Sequence, residues 1–165
     1  MTTILLIRHG IAQDPRPGLP DAERALTEEG WKKTRSAMHG LLRAGYTPRK
    51  AYSSGFRRAA ETLGCLTEAT LAAGLPAFPC GVWEGLSPGG DPVEVEHWIL
   101  ARLQDLEPPG VLALVSHQPL LGELVFWLTG KNLEVKKASC TVVERRAGRW
   151  SLLRHFSPAE LRKKS

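Results

Sequence analysis

The chain lacks any apolar run near the ~20 residues that a bilayer-spanning helix needs. It opens without a basic segment, and Ile4–Ile7 is too short for the apolar centre of a secretory leader. Cysteine is scarce: Cys65, Cys80 and Cys140 are odd in number, widely spaced and form no C-x-x-C pair. This excludes a disulfide framework and a thiolate zinc cage, and predicts reduced, mostly buried thiols. No histidine spacing suits zinc, and no acidic pair suits magnesium. The stretch Gly85–Pro92 has no lysine in the P-loop position, so it is not read as a nucleotide cradle. No internal repeat or linker divides the chain. These absences predict a single cytoplasmic domain over residues 1–165, with no membrane attachment, metal or cofactor.

What is present is an ordinary globular balance. Of 165 residues, 42% are hydrophobic and 24% charged, enough for one sizeable core. The net charge of +5 favours anionic partners: phosphorylated substrates, acidic proteins or nucleic acid. Lys136-Lys137, Arg145-Arg146 and Arg162-Lys163-Lys164 are the runs from which a basic patch for RNA would be built. No aromatic-rich RNA motif accompanies them, and such runs ordinarily form solvated faces. Nucleic acid is therefore not the expected partner.

Ile4-Leu5-Leu6-Ile7 reads as a short buried strand that delivers Arg8, His9 and Gly10 at its end. Ile11–Ala25, with three prolines, reads as a long functional loop over that end. Thr27 then caps a helix with Glu28 and Glu29 in its first turn and Trp31, Met38, Leu41 and Leu42 as its apolar stripe. Lys50–Ser53 is a second strand, Phe56–Leu71 a second helix, Ala77–Trp83 a strand and Val95–Leu106 a third helix. Val111–Val115 is the clearest buried strand and ends in Ser116-His117. A helix from Pro119 to about Leu128 stops at Gly130. Ser139–Arg145 and Arg149–Phe156 flank Ala147-Gly148 as a hairpin, and Ser157–Ser165 reads as a short basic helix or tail. Alternating strands and helices with a final hairpin predict a three-layer α/β/α domain, mostly parallel, with an antiparallel edge.

Ligands of open α/β sheets sit beyond the carboxyl ends of the strands. If the three relevant strands run parallel, Arg8, His9, Arg58 and His117 converge there. Two guanidinium groups and two imidazoles suit one transferring phosphoryl group. The arginines neutralise its oxygens, one imidazole attacks phosphorus in line and the other hydrogen-bonds the phosphoryl oxygens. His39, His97 and His155 read as surface or core residues.

Arg8-His9-Gly10 after an apolar strand resembles the signature of the histidine phosphatase superfamily, the phosphoglycerate-mutase-like fold. Leu26-Thr27-Glu28-Glu29-Gly30 is similar to its L-T-x-x-G helix start. Ser54–Thr62 resembles its S-P-x-x-R-A-x-Q-T segment, with Gly55 and Glu61 in place of the usual proline and glutamine, and Val115–Pro119 resembles its second-histidine motif. The short length, Arg24-Ala25-Leu26-Thr27 and the Leu86–Asp91 loop look like the SixA-type phosphohistidine phosphatases.

The resemblance implies a metal-independent phosphatase working through phosphohistidine on His9. Arg8, Arg58 and His117 would hold the phosphoryl group, with Arg24, Gly10 and Ser54 as substrate contacts and Glu84 as the candidate general acid. Asp14, Asp21, Glu23 and Asp91 are other loop carboxylates. The implied substrate is phosphohistidine of a protein; the alternatives are a small phosphomonoester (sugar phosphate, nucleotide or cofactor precursor) and a non-catalytic phosphate- or RNA-binding module. A pocket without a well-placed acid should prefer the labile N–P bond, because an alkoxide needs a proton to leave.

Overall fold

A computed structural model describes residues 2–163; Lys164 and Ser165, the end of the expected basic tail, lie outside them. The centre is β1 (Thr2–Arg8), parallel to β4 (Gly110–Ser116) on one side and antiparallel to β5 (Cys140–Arg146) on the other. With β2 (Lys50–Ser53), β3 (Cys80–Val82) and β6 (Arg149–Phe156), the sheet has the order β3-β2-β4-β1-β5-β6. The first four are mutually parallel, and β5 and β6 form the expected C-terminal hairpin. Ala147 and Gly148 both turn with positive φ, at 51° and 75°.

Both faces of the sheet are covered, which is why β1 and β4 read as unbroken apolar runs rather than alternating ones. Leu5, Ile7, Ala113 and Val115 pack under α1 (Glu28–Arg43) and α2 (Arg57–Ala72), together with Leu161 of α5 (Pro158–Arg162). Ile4, Leu6, Leu112 and Leu114 pack under α3 (Pro92–Leu103) and α4 (Leu120–Thr129). The result is a three-layer α/β/α domain.

The largest differences from expectation lie in β3 and α3, the latter also ending at Leu103 rather than Leu106. β3 is three residues long rather than seven, because Pro79 has no amide hydrogen and contributes only its carbonyl, which accepts from Ala51 N–H at 3.1 Å. Helix α3 starts at Pro92 rather than Val95, because the Asp91 carboxylate accepts the Val93 N–H at 3.0 Å and Pro92 suits the first helical position. Among the cysteines, Cys65 and Cys140 are buried and Cys80 is exposed. The basic runs do not make one patch. Arg145 pairs with Thr2 at the start of β1, whereas Ala138, just after Lys137, bonds to Arg8 at its end. Six residues of strand, about 20 Å, separate them.

The start of α1 fixes the loop over the strand ends. Thr27 Oγ1 accepts the Gly30 N–H at 2.9 Å, and Thr27 N–H donates to the Ile11 carbonyl at 3.0 Å. A Cβ on Gly30 would drive into that same Ile11 carbonyl, a backbone atom with little room to yield. Gly30→Ala is expected to destabilise the fold by roughly 1–3 kcal/mol. Its melting temperature should fall by about 2–4 °C per kcal/mol; an unchanged midpoint would refute the packing argument.

Candidate active site

The parallel register sets Arg8 beside Ser116 and Ser53 beside Val115, so three strand ends deliver their next residues to one place. His9 follows β1, Ser54 follows β2 and His117 follows β4. The imidazoles of His9 and His117 lie 5.1 Å apart between centroids, tilted by 53°. Arg58, in the first turn of α2, points back to them, with Nε 3.4 Å from His9 Nε2. His9, Arg58, Ser54 and His117 are all buried.

His9 is held by its own backbone neighbour. The Gly10 carbonyl lies 2.7 Å from Nδ1, so Nδ1 carries the proton and donates it there. The lone pair is left on Nε2, the nitrogen facing Arg58. Gly10 is fixed in turn: its N–H donates to Thr62 Oγ1 at 3.0 Å, and a Cβ on it would strike Thr34 Oγ1. The Gly10 N–H thus anchors the loop to Thr62, while its carbonyl orients His9.

Ser54 does the same for His117. Its hydroxyl oxygen accepts from Phe56 N–H at 3.3 Å and lies 2.7 Å from His117 Nε2. This bond to Nε2 holds the His117 ring and leaves its Nδ1 without a partner. Two buried nitrogens at this place have no hydrogen-bond partner: Arg8 Nε and His117 Nδ1. A buried unsatisfied donor costs roughly 1–3 kcal/mol, a cost that an anion's oxygens would remove. Arg8 Nη1 donates to the Val135 carbonyl at 2.9 Å, which anchors its guanidinium beside His9.

Burial leaves both imidazoles neutral. It pushes His9 down to about 3, against a smaller upward pull from the Gly10 carbonyl, and the charges of Arg58 and Arg8 add to the fall. His117 is lowered to about 4, again chiefly by burial, then by Arg58. The unfolded chain protonates these histidines near 6.5. Between that value and about 4, the unfolded state therefore binds more protons, and stability falls as pH drops through this window. Melting followed from about pH 7 to pH 4 should show the decline, and His9→Ala should show a smaller one.

The outer end of Arg58 is engaged by Asp21. Arg58 Nη1 donates to the Asp21 carbonyl at 2.8 Å, and Nη2 reaches Asp21 Oδ2 at 3.2 Å. Arg24 completes the group, with Nη1 2.8 Å from Asp21 Oδ1 and Nε donating to the Gln13 carbonyl at 2.7 Å. Arg24 is therefore linked to Arg58 through Asp21 rather than directly. Sequence reasoning named Asp21 only as one loop carboxylate among several. Its pairing with Arg58 spans 37 positions and has no local signal.

Glu84 lies beside Gly55. Its turn is anchored by Trp83 stacked on Trp98 at 4.3 Å and by Ser116 Oγ donating to the Leu86 carbonyl at 2.6 Å. Glu84 Oε1 lies 2.8 Å from where a Cβ on Gly55 would stand, so the glycine makes room for this carboxylate. Glu61, the other departure from the motif, uses Oε1 to accept Leu26 N–H at 2.7 Å. Asp91 is committed to capping α3.

A family model described as "Histidine phosphatase superfamily (branch 1)" matches residues 4–110. The chain belongs to the histidine phosphatase superfamily. It is accordingly a phosphatase-type enzyme. Comparison with curated proteins finds no match. Among solved structures, the fold superposes on a protein histidine phosphatase SixA complexed with tungstate. The TM-score is 0.84 at 24% identity over 97% of this chain and 99% of that one. A structure assigned as a phosphohistidine phosphatase SixA from Agrobacterium tumefaciens gives 0.80 at 20% identity, over 95% of this chain and 98% of that one. Phosphoglycerate mutase from Bacillus anthracis gives 0.71 at 16% identity, over 97% and 95%. Among the described residues no helix is long and apolar enough to cross a membrane, and no three metal-ligating side chains cluster.

Proposed function

We propose that this superfamily member removes the phosphoryl group from phosphohistidine of a protein, in the cytoplasm, as part of phosphotransfer signalling and without a metal. The observation that carries the reading is His9 itself: a neutral imidazole with Nδ1 tied to the Gly10 carbonyl and Nε2 beside the guanidinium of Arg58. His9 Nε2 attacks phosphorus, and Arg8, Arg58 and His117 take the phosphoryl oxygens. The substrate imidazole leaves, and water then hydrolyses the phosphohistidine on His9. The Gly10 carbonyl holds the Nδ1 proton throughout, so the ring stays oriented in both half-reactions.

The likeness to SixA structures supports a phosphohistidine substrate, as does the net charge of +5, which attracts an acidic phosphoprotein. Lys136 and Lys137 are exposed just before Ala138, whose N–H bonds to the carbonyls of Arg8 and His9, so this positive charge borders the site. The free thiols of Cys65, Cys80 and Cys140 suit a reducing compartment.

One observation favours a second reading. Glu84 places a carboxylate at the rim beside Gly55, where a proton donor for a small phosphate ester would stand. The deciding experiment compares phosphate release from a phosphohistidine-bearing protein and from a panel of small phosphomonoesters, with chelator present. The phosphohistidine protein is expected to lead in kcat/KM by at least about tenfold. Preference for one ester would keep the chemistry and overturn the substrate. Salt-sensitive RNA binding without phosphate release would overturn the enzyme reading.

A further inference from the structure

Arg58 bridges two groups that face each other across the site. Its Nε is 3.4 Å from His9 Nε2, and its Nη2 is 3.2 Å from Asp21 Oδ2. A phosphoryl group held along this guanidinium and attacked in line by His9 has its leaving atom on the far side, toward Asp21. The Asp21 side chain is 55% exposed while that of Arg58 is only 6% exposed, so an incoming substrate meets the carboxylate first.

A carboxylate in that place is a poor partner for one class of leaving group and a good one for another. Hydrogen bonds from Arg24 and then Arg58 hold the Asp21 carboxyl below its ordinary range, so it accepts protons' hydrogen bonds and does not donate a proton. A departing alkoxide needs a donor. A phosphohistidine ring instead brings its own proton, on the nitrogen distal to phosphorus.

We propose that the Asp21 carboxylate accepts a hydrogen bond from the distal N–H of the substrate's phosphohistidine ring and so selects phosphohistidine over phosphate esters. The step balances without a further reactant. The His9 Nε2 lone pair forms the new N–P bond, and the old P–N bond breaks with its electron pair going to the ring nitrogen. The ring, cationic while phosphorylated and protonated on its distal nitrogen, departs as neutral imidazole with that proton still attached. Asp21 stabilises the cationic form from which the bond breaks. The inference rests on the phosphohistidine reading above and adds the residue that enforces it.

The test is kcat/KM for free phosphohistidine and for p-nitrophenyl phosphate in the intact protein, Asp21→Asn and Glu23→Gln. Glu23→Gln removes the same charge from the same turn. Asp21→Asn is expected to lower the ratio of phosphohistidine to ester turnover by at least about tenfold, the worth of one charge-assisted hydrogen bond. Glu23→Gln should keep the wild-type ratio. An equal fall on both substrates in Asp21→Asn would make Asp21 only a positioning residue for Arg58 and overturn the proposal. No fall on either, or the same fall in Glu23→Gln, would overturn it too. A wild-type protein that cleaves the ester but not phosphohistidine would overturn the substrate reading, and this inference with it, before any variant is compared.

Discussion

His9→Ala is expected to lower turnover by about four to six orders of magnitude, the scale seen when a covalent nucleophile is removed. The rest of the site cannot replace it. His117 lies 5.1 Å away between ring centroids, but its Nε2 is held by Ser54 at 2.7 Å. The variant should remain folded. Neutral His9 donates to the Gly10 carbonyl and accepts a longer bond from Arg58 Nε, and the Gly10 backbone stays anchored to Thr62 at 3.0 Å. Steady-state phosphate release and a melting curve measured together check both halves. Residual activity above a few per cent of wild type would exclude His9 as sole nucleophile.

Arg58→Ala should cost roughly 10²–10³ in turnover, the range for removing one preorganised donor to transition-state charge. Arg58 is buried between His9 Nε2 and Asp21, so its loss removes the positive charge closest to the attacking nitrogen and releases Asp21 to Arg24 alone. Arg58→Lys should recover only part of the loss, since an ammonium lacks the planar fork that reaches both neighbours. Single-turnover phosphorylation of His9 isolates this effect from the later hydrolysis. Equal rates in Arg58→Ala and wild type would remove Arg58 from the phosphoryl site.

Much of the fold was legible because its determinants are local. The apolar runs of β1 and β4 could only be strands covered on both faces. The Thr27 cap, the left-handed Gly130 and the Ala147-Gly148 turn mark their boundaries through the backbone geometry of single residues. The edges were less legible. β3 is truncated by Pro79, and α3 begins earlier because Asp91 and Pro92 act together as cap and first turn. The four side chains Arg8, His9, Arg58 and His117 were named from residue chemistry and motif order, but the restraints that prepare them were not. The Gly10 carbonyl on His9, Ser54 on His117, Val135 on Arg8 and Asp21 on Arg58 are geometric facts that residue type alone does not encode.

The sequence by itself determined which elements form, which residues their ends carry and which chemistry those residues can perform. These follow from apolar periodicity, caps and turns, and from the fixed properties of guanidinium and imidazole groups. Only the tertiary structure decided that Arg8 stands beside Ser116 and Ser53 beside Val115, so that side chains about a hundred positions apart share one crevice. It also decided the charge states. An isolated imidazole titrates near 6.5, whereas burial among two arginines keeps His9 and His117 neutral far below that value. The physical reason is the same in both cases. Strand register is set by packing two faces of the sheet at once, and desolvation is a property of everything that surrounds a group rather than of its neighbours in the chain.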